Sequence, residues 1–223
     1  MTMKESINKL VEQGVKIHDP NRLDIRGSLE CGDNVEIDIN VIFEGKVVLG
    51  SHVKIGPHCI IKDADIADNV EIKAYTLIEE AAVGANSFAG PYCRIRPGTK
   101  VGRDVQLGNF LEIKNTVIGD GCRINHMSFL GDAELGRQVT LGAGLITCNY
   151  DGNTTHKTLI NDDVFVGSGT NLIAPLEIGA SATIGAGSTI TENVAAEHLT
   201  LARCRQHTVE NWQGPRGSNQ DDD

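Results

Sequence analysis

The 223-residue chain is long enough for one large domain or two small ones, and its hydrophobic content of 40% is that of a soluble globular protein. Thirty acidic residues against twenty Lys and Arg leave a net charge of −10. That balance argues against a nucleic-acid partner, because a phosphate backbone needs a basic footprint. No apolar run of about 18 residues suggests a membrane span, no signal peptide opens the chain, and the six cysteines include no CxxC pair; a cytoplasmic protein with reduced thiols is expected.

In chain order, residues 1–15 come first, with Ile7, Leu10 and Val11 at the spacing of an N-terminal helix. Across 16–194 the aliphatic residues recur every six positions, with occasional steps of five. The ladder runs Cys31, Ile37, Phe43, Leu49, Ile55, Ile61, then Ile66, Ile72, Ile78, Val83, Ala89 and Ile95. It continues through Val101, Leu107, Ile113, Ile118, Ile124, Leu130, Leu135, Leu141 and Thr147, and after an interruption through Ile160 to Ile190. A smaller residue follows most of these by four places, as at Val53, Cys59 and Val70, with Asp65 and Glu134 as exceptions. Aromatic residues are only 4%, so many similar aliphatic layers must fill the core.

Steps of five and six do not suit an α-helix, whose apolar face recurs at three and four. They suit a very short strand followed by a tight turn, three of which close a triangular coil. The 27 ladder positions predict an all-β solenoid of about nine coils, about 43 Å long at about 4.8 Å per layer. Cys31, Cys59, Cys93 and Cys122 fall on ladder or small-residue positions and read as core. Residues 195–223 read as a C-terminal arm and, from Gly217, a disordered tail capping an open solenoid.

Two departures from the repeat point to function. Residues 148–159 form an insert, CNYDGNTTHKTL, polar and carrying a turn-forming Asp-Gly pair; a loop thrown out of so regular a scaffold is a functional candidate. Between Pro91 and His126, Arg94, Arg96, Lys100, Arg103, Lys114 and Arg123 face three acids. That imbalance is either a solvated surface or a pocket for a small anion. No two of the seven histidines stand at metal-ligand spacing in sequence, so no metal is expected. His126 lies inside the basic stretch, one coil before the insert, where a buried or half-buried imidazole would suit a general base.

The hexad pattern resembles that of the hexapeptide-repeat transferases, which implies a left-handed parallel β-helix. Periodicity does not give the hand, since parallel crossovers are nearly always right-handed. The segments RIRPGTKVG, GNFLEIK, GAGLITCNYDG and DDVFVGSGTNLIAP resemble, more narrowly, the acetyltransferase half of the bifunctional GlmU family. The likeness runs from about residue 15 to about 205. It implies N-acetylation of glucosamine 1-phosphate by acetyl-CoA as co-substrate in a homotrimer, feeding UDP-N-acetylglucosamine and cell-envelope synthesis. It also implies roles: His126 as catalytic base, Arg96 and Lys114 on the acceptor, and Ala143, Asn149, Tyr150, Ser168, Ala186 and Arg203 on acetyl-CoA.

Three positions depart from the family. Phe129 stands for a tyrosine and Thr140 for an asparagine on the acceptor side, and Thr155 for a lysine in the insert. A different amino sugar or sugar nucleotide, or a non-catalytic CoA-binding scaffold, therefore remain alternative readings. The family's glycine-rich nucleotide loop is missing, and uridylyl transfer is not expected.

Overall fold

The computed structural model describes residues 3–212, with the side chains of Met3 and Lys4 left aside; the residues expected to form the disordered tail lie outside the described residues. One short helix, Met3–Glu12, precedes strands that pair almost entirely in parallel. The helix buries Ile7 and Leu10 against the first coil, whereas Val11 turns to solvent.

The architecture is a left-handed parallel β-helix, and the sequence ladder is its core. In the first column Ile17 pairs in register with Ile37, Ile37 with Ile55, Ile55 with Ile72, and the column continues as every third rung. The second column stacks Ile25, Phe43, Ile61 and Ile78. The third stacks Cys31, Leu49, Ile66 and Val83. Every ladder residue is buried except Cys31, half-buried near the N-terminal end. Each buried Ile, Leu or Val contributes about 1.5–3 kcal/mol relative to exposure, so the columns are the main stabilising force.

The solenoid is longer than nine coils at both ends. Lys16–Ile17 and Leu23–Cys31 add a coil whose step from Ile17 to Ile25 is lengthened by a 3-10 turn, Pro20–Arg22, which hides it from a six-residue count. At the other end Leu199–Thr200 pairs with Thr183–Ile184, and Val194 bridges Ile178. The β-helix thus extends to Thr200 instead of giving way to an arm at 195. From Ile17 to Thr200 the first column makes ten turns.

The corners explain the small residues. A residue with positive φ turns the chain at most corners, and the next side chain is buried: His58 (φ 60°) precedes Cys59 and Asn69 (φ 59°) precedes Val70. Where the step is five residues, the buried position moves forward by one. Ala64 and Ala133 then point inward, while Asp65 and Glu134, the two exceptions in the sequence, are exposed. Burial pushes the Cys31 and Cys93 thiols up to about 12 and those of Cys59 and Cys122 up to about 11, consistent with core roles.

Candidate active site

Four of the expected site residues follow a rung of the first column by two places. His126 follows Ile124, Ala143 follows Leu141, Ser168 follows Val166 and Ala186 follows Ile184, and these rungs are in register. The four therefore stand one above another along one corner. Backbone bonds tie the stack: Gly144 N–H donates to Met127 C=O, Gly169 to Ala143 and Gly187 to Ser168, each at 2.8 Å. At about 4.8 Å per layer, His126 and Ala186 are about 14 Å apart along the axis. Arg203 closes the upper end, its Nη1 donating to Ala186 C=O at 2.8 Å.

This edge changes character at the level of His126. Below it the corner carries His58, Tyr75, Tyr92 and Phe110, exposed and stacked at centroid separations of 4.8, 5.0 and 5.3 Å, and then Met127. Above it the same turn is made by Gly144, Gly169 and Gly187, with φ of 75°, 67° and 72°. The glycines two places earlier serve a different need. A Cβ on Gly142 would lie 2.5 Å from Ser168 N, and one on Gly167 only 2.4 Å from Ala186 N. Small residues and bare backbone thus open a shallow track along the corner. Among the described residues the N–H groups of Ala143, Ser168 and Ala186 donate no hydrogen bond, leaving three donors spaced by the coil repeat.

Arg96 and Lys114 lie at the far end of the adjacent face. Each follows a second-column rung by one place, Ile95 and Ile113, which are in register, and Lys114 pairs with Gly131 in the next coil. Arg96 Nη1 holds Glu112 Oε1 at 2.8 Å, and Arg94 stands 3.8 Å from the same oxygen. Lys114 has no ion pair among the described residues. Phe129 and Asn149 crowd the same place: a Cβ on Gly131 would lie 2.8 Å from Phe129 Cζ and 2.7 Å from Asn149 Nδ2. Asn149 and Asn115 both donate to the Asp132 carboxylate, which anchors the base of the inserted loop.

The expected constellation therefore falls into two groups on one chain. The strand Arg123–Gly131 carries His126 near one end and meets the Lys114 level at the other, on the order of 12–16 Å at about 3.3 Å per residue. The basic stretch is no single patch, because Arg123 flanks the first column and Lys100 the third, while Arg94, Arg96 and Lys114 share the second face. His126 is exposed instead of half-buried. Thr140 stands beside Arg123 in register on the first face, half-buried and away from Lys114.

The inserted loop is a compact knot. Tyr150 and Thr155 bridge in antiparallel fashion, and Tyr150 Oη donates to Gly152 C=O at 2.6 Å. The Asp151 carboxylate accepts from Thr154 N and Asn153 N, both at 2.8 Å, and meets His156 Nε2 at 2.7 Å. The Thr154 amide first, then His156 and the Asn153 amide, hold Asp151 well below the ordinary carboxylate range. Thr155 is exposed, and Lys157 pairs with Glu134. Asn109, which sequence reasoning passed over, is in register with His126 and meets its Nδ1 at 3.0 Å; it follows Leu107 by two places, the same spacing that marks the rest of the corner.

Among the described residues no group of three or more His, Cys, Asp or Glu is placed to hold a metal ion, and no helix is long and apolar enough to cross a membrane.

Fold and corner track together define a hexapeptide-repeat β-helix. The solved Francisella novicida UDP-N-acetylglucosamine acyltransferase shares the fold, with a TM-score of 0.50 and 17% identity over 83% of this chain and 66% of that one. The family model of the GMPPB C-terminal domain matches residues 25–117. The chain is 49% identical to the bifunctional protein GlmU of Marinobacter nauticus over 96% of its own length and 47% of that protein's. It is 52% identical to that of Nitrosospira multiformis over 93% and 45%. The chain belongs with the GlmU proteins, and it spans about half the length of the curated relatives it matches.

Proposed function

We propose that this chain is an N-acetyltransferase that moves acetyl from acetyl-CoA to the amine of glucosamine 1-phosphate, releasing N-acetylglucosamine 1-phosphate and coenzyme A. The observation that carries the reading is the corner stack of His126, Ala143, Ser168 and Ala186, closed by Arg203. Its length and unspent N–H groups suit an extended, amide-bearing arm whose thioester lies at the His126 end. Acetyl-CoA is held by those groups together with Asn149 and Tyr150, and Arg203 offers a cation to its phosphates.

In the reaction the acceptor amine attacks the thioester carbonyl, and His126 takes the amine proton, which contributes about 10²–10⁴-fold. The free Ala143 N–H steadies the tetrahedral oxyanion, and the C–S bond then breaks to give the thiol. Arg96 and Lys114 hold the acceptor's phosphate by charge-assisted hydrogen bonds. No acyl-enzyme is required, because proximity in the ternary complex supplies much of the remaining acceleration.

His126 and Lys114 stand at opposite ends of a face, so a small acceptor reaches both only when one chain supplies the base and a neighbour supplies the cations. A cytoplasmic homotrimer satisfies this. Mixing His126→Ala chains with Lys114→Ala chains, each inactive alone, should restore activity once subunits exchange. Mixtures that stay inactive despite demonstrated exchange would count against shared sites.

The second reading changes the acceptor to another amino sugar, and Phe129, Thr140 and Thr155 favour it. A thiol-release screen of amino sugar phosphates separates the two. Turnover with glucosamine 1-phosphate supports the first, and turnover only with a different amino sugar supports the second. Absence of release with every amino sugar, while acetyl-CoA still binds, points instead to a non-catalytic scaffold.

A further inference from the structure

The corner stack extends one residue below His126. Asn109 lies on the strand Gln106–Lys114, in register with His126, and its Oδ1 is 3.0 Å from the imidazole Nδ1. The close approach is built into the backbone, because a Cβ on the preceding Gly108 would fall 1.9 Å from Asn125 C=O. The same corner position in lower coils is filled by Pro57 and Pro91, each two places past a first-column rung. The scaffold therefore does not call for a hydrogen-bonding side chain there. Asn109 is half-buried beneath the exposed imidazole.

We propose that Asn109 is a positioning residue: its amide oxygen accepts the Nδ1–H of His126, fixing the tautomer that leaves Nε2 as the basic nitrogen. This rests on the reading of His126 as the base. An amide oxygen is an acceptor that adds no negative charge, so it orients the imidazole through one hydrogen bond alone. A carboxylate in the same place would orient the ring equally well but favour the imidazolium. The charged groups on the neighbouring strands are Arg123 on the strand of His126, Glu112 and Lys114 on that of Asn109, and Arg94 one coil lower. None of these forms an ion pair with His126 among the described residues.

The test uses the whole chain with three variants, Asn109→Ala, Asn109→Asp and His126→Ala. Ring-nitrogen NMR of histidine-labelled protein, assigned with His126→Ala, should show neutral His126 as the Nδ1–H tautomer in the wild type, and as a mixture or the Nε2–H form in Asn109→Ala. Asn109→Ala should lower kcat about 10- to 100-fold with the KM of acetyl-CoA changed less than twofold. Asn109→Asp should keep the tautomer and move the acidic limb of kcat/KM upward by about one pH unit. An Nδ1–H form that persists in Asn109→Ala, or a wild-type Nε2–H form, overturns the proposal. So does an Asn109→Asp pH profile that coincides with wild type. The NMR result stands apart from activity: an active His126→Ala enzyme would remove the base while leaving the tautomer assignment to be decided by the spectrum.

Discussion

At the scale of single residues, the two kinds of glycine at the corner predict different failures. Gly167→Ala would drive a Cβ to 2.4 Å from Ala186 N and 2.7 Å from its Cα, a clash with backbone that only a shift of the next coil relieves. Its expected cost is about 1–3 kcal/mol, with weakened acetyl-CoA binding because Ala186 moves. Gly144→Ala meets only open space, with nothing nearer than 3.8 Å, but at φ 75°; it should cost about 1 kcal/mol from backbone strain alone. Thermal melts with acetyl-CoA titrations compare the two, and equal effects on binding would count against the coil-to-coil contact.

The thiols give a second prediction at this scale. Cys59, Cys93 and Cys122 are buried with thiols pushed up to about 11, 12 and 11, whereas Cys204 is exposed. A thiol reagent at neutral pH should modify Cys204 first and leave those three until unfolding. Because folding raises these values above the ordinary 9.0, unfolded chains lose protons first as pH climbs. Stability should therefore be unaffected by them below pH 9 and should fall progressively between 9 and about 12. An alkaline melting series that stays flat over this window would contradict the buried placement.

At the scale of elements, the inserted loop is held by Asp151. Its carboxyl lies below the ordinary range, so the loop's stabilisation is complete above the ordinary carboxylate pKa near 4 and is lost only as pH falls through the depressed folded value. Loop-specific proteolysis should accordingly stay slow at pH 5, and Asp151→Ala should accelerate it at neutral pH without shifting the global melt. A global melt lowered as far as local cleavage is enhanced would tie the loop to the core instead.

The elements also show what the sequence could reveal. Strand positions were legible because burial of one side chain per short strand leaves a periodic aliphatic trace. The corners were less so. Asn34 and Asn69 are residue types that tolerate positive φ, but Tyr75, Tyr92 and Phe110 do so here without any local signal. The Ile17 and Ile25 rungs of the first coil escaped the ladder because two extra residues at Pro20–Arg22 break their spacing. The site roles came from family likeness, yet the rule that joins His126, Ala143, Ser168 and Ala186, two places past a first-column rung, was present in the ladder and also marks Asn109.

At the scale of the whole molecule, each coil touches only its neighbours, so stability is close to a sum of coil and interface contributions. Ile113→Ala, fully buried in the middle, should cost about 2–5 kcal/mol. Ile25→Ala, half-buried at the N-terminal end, should cost clearly less. Urea unfolding compares them, and a variant that unfolds in two steps would show the solenoid parting at the weakened coil.

The stacking of one corner residue per turn has a consequence for ligand length. Because Ala143, Ser168 and Ala186 rise from His126 in single layers, the edge behaves as a ruler graduated only in whole turns of about 4.8 Å. A change of one or two residues within a turn leaves the marks where they are, absorbed at a corner as the five-residue steps are. Only the gain or loss of a complete turn moves the Arg203 end relative to the base. A protein of this build can therefore retune its partner's reach in discrete jumps, and between jumps the ligand's length is held constant by the same backbone ladder that holds the fold.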